Sequence, residues 1–326
     1  MTLPHDYALR APVREDLPAI ALVLAADDLD DAGENVLDEG FLRNAWERPG
    51  FEPATDAWVV VDSAGTIVGY AQVAGEDPGV VESWGAVHPD HRGRGLGTAL
   101  LDRIEERADR LLPDLSAVRF RHAVNAGDGA AAAMLEARGL RFVRHFWHMQ
   151  AELAGPVESG PPPAGIAIGA IRSPDDLPDV HHVLETAFAD HWDHEPQPYE
   201  RWVDEEASGS SYDPALWLVA RQAGAVVGAL TARAMGSRGW VGFLGVVAPC
   251  RGRGVATALL RHSFALFAAR GSDRVALAVD AHNETAAALY ERAGMRVVKR
   301  WDLWERTEPA RRTKPGPDLA DQRPGR

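Results

Sequence analysis

A single cysteine, Cys250, in 326 residues excludes an internal disulfide and a cysteine-built metal site. A reducing cytoplasm suits such a chain and is its expected location. Basic charge is scarce as well: 34 Lys and Arg face 48 Asp and Glu, giving a formal net charge of -14. Nucleic acid is therefore excluded as the main partner, because phosphate binding needs a basic face. Lysine is confined to Lys299 and Lys314. No apolar run reaches membrane-spanning length, and MTLPHDYALR does not read as a secretory leader, so no membrane partner is expected. Two nucleotide signatures are missing too. There is no Gly-Lys-Ser/Thr P-loop and no G-x-G-x-x-G followed by a spaced acid. What remains is an ordinary globular composition, 46% hydrophobic and 25% charged, long enough for two domains.

The chain repeats itself. Trp58-Val59-Val60-Val61 is answered by Trp217-Leu218-Val219-Ala220, an offset of 159 residues, and Val68-Gly69 by Val227-Gly228. At the same offset Arg92-Gly93-Arg94-Gly95-Leu96-Gly97-Thr98 matches Arg251-Gly252-Arg253-Gly254-Val255-Ala256-Thr257. Further on the offset falls to 155, pairing Gly139 with Gly294, which places a longer connection in the first copy near Leu111–Leu115. Matches that hold register this long mark two copies of one domain. The boundaries expected are 1–153 and 165–308, with a Pro/Gly linker at 154–164 and a disordered tail at 309–326.

Each copy reads as strand, helices, hairpin, strand, Arg/Gly loop, long helix, strand, Ala-rich helix, strand. The hairpins turn at Ser63-Ala64-Gly65 and Gln222-Ala223-Gly224, and Ser173-Pro174 opens a helix as N-cap and first residue. The Arg/Gly loop lies between an apolar strand and an apolar helix. Glycines there let the backbone approach a ligand, and the helix N-terminus favours an anion, so the loop suits a phosphate.

This order, with R-x-x-G-x-[GA] between the fourth strand and its helix, resembles the GCN5-related N-acetyltransferases (GNATs). The resemblance covers nearly the whole chain, twice, and a tandem pair of this length is similar to the mycothiol synthases. It implies an α/β fold of two tandem domains, each a mixed, mostly antiparallel sheet flanked by helices and splayed at strands four and five. It also implies acetyl-CoA as co-substrate, no metal, and transfer to an amine. The cofactor contacts implied are Val246, Val247, Arg251, Gly252, Arg253, Gly254, Val255, Ala256, Thr257 and Asn283 in the second copy. In the first they are Val87, His88, Arg92, Gly93, Arg94, Gly95, Leu96, Gly97 and Thr98.

Acetyl transfer asks for a positioned amine, an N–H donor for the developing oxyanion and a proton for the leaving thiolate. In the family that proton often comes from a tyrosine within N-x-x-A-x-x-x-Y-x-x-x-G, and residues 283–294 match it with Tyr290 in place. Asn283 also suits a helix cap, and Tyr290 suits a packed core. The first copy has Asp128 and Leu135 at these positions and reads as a CoA-binding copy with weakened chemistry. Its fourth strand carries Glu82, where family members often keep a base; the residue counted as its counterpart is Val241. Glu82 is either that base or a solvent-facing strand residue.

The second copy concentrates titratable and aromatic groups in ADHWDHEPQPYERW, residues 189–202. His191, Asp193, His194 and Glu195 are candidates for base or acceptor contacts, with a solvated acidic loop as the alternative. Asp280 and His282 are further candidates. The expected activity is acetylation of a small-molecule primary amine by direct attack in a ternary complex. Alternatives are acetylation of a cysteinyl pseudodisaccharide of the mycothiol synthase type, a protein or peptide acetyltransferase, and a non-catalytic acyl-CoA-binding regulator.

Overall fold

The computed structural model describes residues 3–75, 79–111, 117–172, 174–208 and 211–309. The first copy comprises β1 (Tyr7–Arg10), α1 (Leu17–Ala32), α2 (Glu39–Trp46), α3 (Pro53–Asp56), β2 (Ala57–Asp62) and β3 (Ile67–Gly75). It continues with β4 (Val80–Val87), α4 (Leu96–Leu111), β5 (Ala117–Asn125), α5 (Gly129–Ala137) and β6 (Arg141–Glu152). The second comprises β7 (Ile166–Ala170), α6 (Leu177–Phe188), α7 (Tyr199–Glu206), β8 (Leu218–Gln222) and β9 (Ala225–Met235). Then come β10 (Arg238–Val246), α8 (Val255–Ala269), β11 (Arg274–Asp280), α9 (Glu284–Arg292) and β12 (Arg296–Pro309). Most of the connection assigned to Leu111–Leu115, the capping residue Ser173 and the tail after Pro309 lie outside the described residues.

Local chemistry sets these elements. Asp128 accepts hydrogen bonds from the Ala130 and Ala131 amides, and Asn283 from that of Ala286, capping α5 and α9. The β8–β9 turn needs positive φ at both central positions, 48° at Ala223 and 91° at Gly224. Apolar helix stripes face the sheet from both sides. In the first copy Leu96, Leu100, Leu101 and Ile104 of α4 pack on one face, and Leu17, Ile20, Val23 and Leu24 of α1 on the other. In the second, α8 brings Leu259, Leu260, Phe264 and Phe267, and α6 brings Val180, Val183 and Leu184.

The two copies do not keep separate sheets. One 12-stranded sheet runs β1-β2-β3-β4-β5-β12-β6-β11-β10-β9-β8-β7. The copies have exchanged their final strands. β12, from the second copy, pairs antiparallel with β5 from Asn125↔Trp301 to Ala117↔Pro309. β6, from the first, pairs with β11 from Phe146↔Asp280 to Glu152↔Arg274. The two exchanged strands also pair with each other and form the middle of the sheet.

The helix connections cross over as well, on the face carrying α1 and α6. Between α1 and α2, the Val36 carbonyl accepts from Arg238 of β10, and Asp38 lies 3.2 Å from the same guanidinium. Asp28 of α1 is fully buried and pairs with Lys299 of β12. In return, the α6–α7 connection reaches β5, where Asp193 is held by Arg119 and Arg121. Two guanidinium groups lie over the Trp192 ring, Arg121 at 5.1 Å and Arg144 at 4.9 Å from its centroid.

Candidate functional site

Each copy opens where its parallel strands part. In the first, β4 and β5 stay paired for five positions, Val80↔Arg119 to Trp84↔Ala123, and diverge beyond them. In the second, β10 and β11 pair for only three, Arg238↔Arg274 to Trp240↔Ala276. A bulge causes the earlier parting. The β9–β10 register shifts between Val241 and Leu244, so Gly242 and Phe243 both face Thr231. The Thr231 hydroxyl accepts the Phe243 N–H at 3.0 Å. β4 runs against β3 without such a break. The bulge also changes which residues correspond: paired position, not residue count, makes Trp240 the counterpart of Glu82, while Val241 turns into the core.

The two Arg/Gly loops share a backbone. Gly93 and Gly95 have φ of 73° and 80°, and Gly252 and Gly254 have 72° and 80°. Left-handed turns at both positions suit glycine and set the chain for the helix N-terminus. Their arginines differ. Arg92 donates to Asp30 at 2.5 Å and to Asp27 at 2.6 Å, both on α1, and Asp27 also accepts from Asn125 at the end of β5 at 2.8 Å. Asp27 thus ties the loop to the far side of the parting. Arg94 is held by the Tyr7 hydroxyl and the Asp90 carbonyl. In the second copy Arg251 meets only backbone carbonyls, Val246 at 3.0 Å and Ala187 at 3.3 Å. Arg253 meets only the buried Cys250 sulfur, at 3.8 Å. No carboxylate among the described residues pairs with either.

The first cleft has a volume of about 310 Å³ and is lined by Asp27, Val87, Arg92, Gly93, Gly95, Leu96, Gly97, Thr98 and Asn125, with His122 among its apolar walls. His122 and Ser83 are buried and hydrogen-bonded at 2.8 Å, and burial pushes the imidazole down to about 4. Sequence reading missed Asp27, Asp30 and His122. The acid-rich run Asp27-Asp28-Leu29-Asp30-Asp31 was the available signal.

Tyr290 packs its ring on the second core, and no group among the described residues meets its hydroxyl. Burial pushes its pKa up to about 12, so the proton stays on the phenol. Its counterpart Leu135 is wholly buried. The loop after α6 divides by role. His191 is exposed and tilted at 50° against Phe188, ring centroids 4.3 Å apart, and partial desolvation, reinforced by His194, holds its imidazole below the usual value. Asp193 is committed to its two arginines, which hold its carboxyl low against desolvation. His194 meets Glu185 at 3.2 Å, and Glu195 is exposed. Asp280 is engaged by Arg144 at 2.6 Å and by the His282 amide at 2.9 Å. Glu82 lies 3.4 Å from Arg121. Among the described residues, no three His, Cys, Asp or Glu are grouped to hold a metal, and no helix is long and apolar enough to cross a membrane.

Two segments match family descriptions: residues 177–295 the Acetyltransferase (GNAT) family and residues 53–139 the Acetyltransferase (GNAT) domain. A mycothiol acetyltransferase from Clavibacter michiganensis subsp. michiganensis is 34% identical over 76% of this chain and 79% of its own. One from Streptomyces coelicolor is 29% identical over 90% of this chain and 92% of its own. Among solved structures, a GCN5-related N-acetyltransferase from Sphaerobacter thermophilus superposes with a TM-score of 0.80 at 35% identity, covering 94% of this chain and 97% of that one. A tandem GNAT protein from the clavulanic acid biosynthesis pathway shares the fold at a TM-score of 0.62 and 19% identity, covering 95% of this chain and 100% of that one.

Proposed function

The chain belongs to the GNAT family and is an acetyltransferase of tandem type, and from that premise we propose that its second copy transfers acetyl from acetyl-CoA to a primary amine of a small molecule by direct attack. The observation that carries the reading is Tyr290, a partly buried phenol that keeps its proton and meets no group among the described residues, present in the copy whose loop arginines pair with no described carboxylate. Acetyl-CoA supplies an activated thioester. The residues of the loop fit its phosphates: backbone turned by Gly252 and Gly254, the N-terminus of α8, and Arg251 and Arg253. The exposed Gly242 lies in the bulge, where backbone breaks from the ladder beside the parting and is available for the thioester oxygen. Tyr290 donates to the leaving sulfur. His191, whose imidazole is held below its usual value, is the candidate to take the amine's proton. The first copy, with leucine at the tyrosine position and Arg92 occupied, is the non-catalytic one and holds CoA less well.

The relatives named mycothiol acetyltransferase favour one acceptor within this class, the cysteinyl pseudodisaccharide. The test is release of free CoA thiol from acetyl-CoA against a panel of primary amines that includes it. Turnover with small amines supports the proposal. CoA binding without turnover on any amine overturns it in favour of a binding protein.

A further inference from the structure

The exchanged strand β6 brings a residue of the first copy to the second copy's parting. His148 pairs across the ladder with Ala278 of β11, one strand from where β10 and β11 diverge. Gly242 and Ala278 are solvent-exposed although their strands lie inside a 12-stranded sheet, so the face is open there. Trp240 closes one side, with its ring centroid 5.1 Å from that of His148. The residue is 4% exposed, its Nε2 is buried, and no group among the described residues hydrogen-bonds that atom. Two residues along, on the same face, Gln150 donates to Glu152 at 2.8 Å while its Oε1 has no partner among the described residues. Lys299, the neighbour of His148 on β12, is committed to Asp28.

Packing does not explain the histidine. The residue at its repeat position is Leu303, which pairs with Ala123 in the first copy and is buried. Leucine therefore fits this place in the sheet. A neutral imidazole there leaves Nε2 to be met, as donor or acceptor, and a buried polar group left unmet costs free energy.

We propose that His148 is an acceptor-binding residue of the second copy: its ring hydrogen-bonds a hydroxyl or amide of the amine substrate, selecting polar, donor-bearing amines over plain alkylamines. The proposal rests on the reading of the second copy as the transferring one. It makes the acceptor site a joint product of both copies, completed by the strand the first copy lends.

His148→Leu, which installs the residue type found at the repeat position, and His148→Gln, which keeps polar capacity, test it in the full chain. With the cysteinyl pseudodisaccharide and D-glucosamine as acceptors, His148→Leu should lower kcat/KM by about 10–100-fold. The KM for acetyl-CoA and turnover of n-butylamine should hold, His148→Gln should recover part of the loss, and Tm should not fall. Acceptor kinetics unchanged in His148→Leu would overturn the proposal, as would equal losses on all amines accompanied by a lower Tm. Nitrogen-15 NMR of the imidazole gives an arm independent of turnover. If no amine is acetylated, the proposed function fails by itself, while a shift of the His148 ring nitrogens on adding either polar amine still supports the site. Absence of any such shift refutes it.

Discussion

Replacing Tyr290 by Phe removes one oxygen and little else. The ring stays packed on the second core, and no hydrogen bond to a described residue is lost. The residue is only partly buried, so losing the hydroxyl should leave the variant about as stable as the parent. Any loss of rate then reports chemistry. A general acid contributes about 10²–10⁴ in rate, equivalent to about 2.7–5.4 kcal/mol of barrier. We expect kcat to fall by about a hundredfold or more, with CoA affinity preserved. The phenol, pushed up to about 12, keeps its proton through the whole working range, so its own ionisation should not limit the parent's rate below pH 10. Single-turnover release of CoA thiol, with Tm and a CoA titration on the same samples, measures all three. A variant within about threefold of the parent in the chemical step would refute the donor role. If Glu82→Gln then lost the activity instead, the first copy would be the transferring one.

Titration with CoA should find its tighter site in the second copy: Gly254→Asp abolishes it, whereas Gly95→Asp leaves most turnover intact. Asp27→Ala with Asp30→Ala frees Arg92, and in a Gly254→Asp background it should strengthen CoA binding to the first cleft; no gain would show that the carboxylates do not exclude it. Asp193→Ala takes one carboxylate from Arg119 and from the largely buried Arg121, which keeps Glu305 at 2.8 Å and Glu82 at 3.4 Å; it should destabilise by about 1–3 kcal/mol while sparing the KM for acetyl-CoA, and a normal Tm would refute its structural role. Acid should weaken the fold through His122 and His148. Their folded values, about 4 and about 3, lie below the usual 6.5, so below pH 6.5 the unfolded chain takes up protons that the folded chain refuses. Stability should fall by about 1.4 kcal/mol per pH unit per histidine toward pH 4. Denaturant titrations that lose no slope in His148→Leu would contradict this.

Local signals carried far in this chain and distant ones did not. The Arg/Gly loops, the α4 and α8 stripes and the Asn283 cap are legible because each is written within one or two helical turns. The exchange of β6 and β12 is not, since both strands have the same alternation whichever neighbour they take. The bulge at Gly242 and Phe243 slipped one residue between the copies, so counting matched Glu82 with Val241 where pairing matches it with Trp240. The partners of Arg92 come from a helix more than sixty residues away, and no spacing rule connects them. Asp193 had the residue type of a base, but its arginines lie on a strand of the other copy.

The exchange has a consequence for synthesis on the ribosome. β5 ends at Asn125, yet its neighbour β12 is not complete until Pro309 has been made. Through that interval the first half presents an open strand edge, the kind of surface on which chains aggregate. β6 waits less long, for β11 at residues 274–280. The chain cannot mature half by half. A stop codon before β12 would leave both halves unfinished, the first without its β5 partner and the second without its last strand.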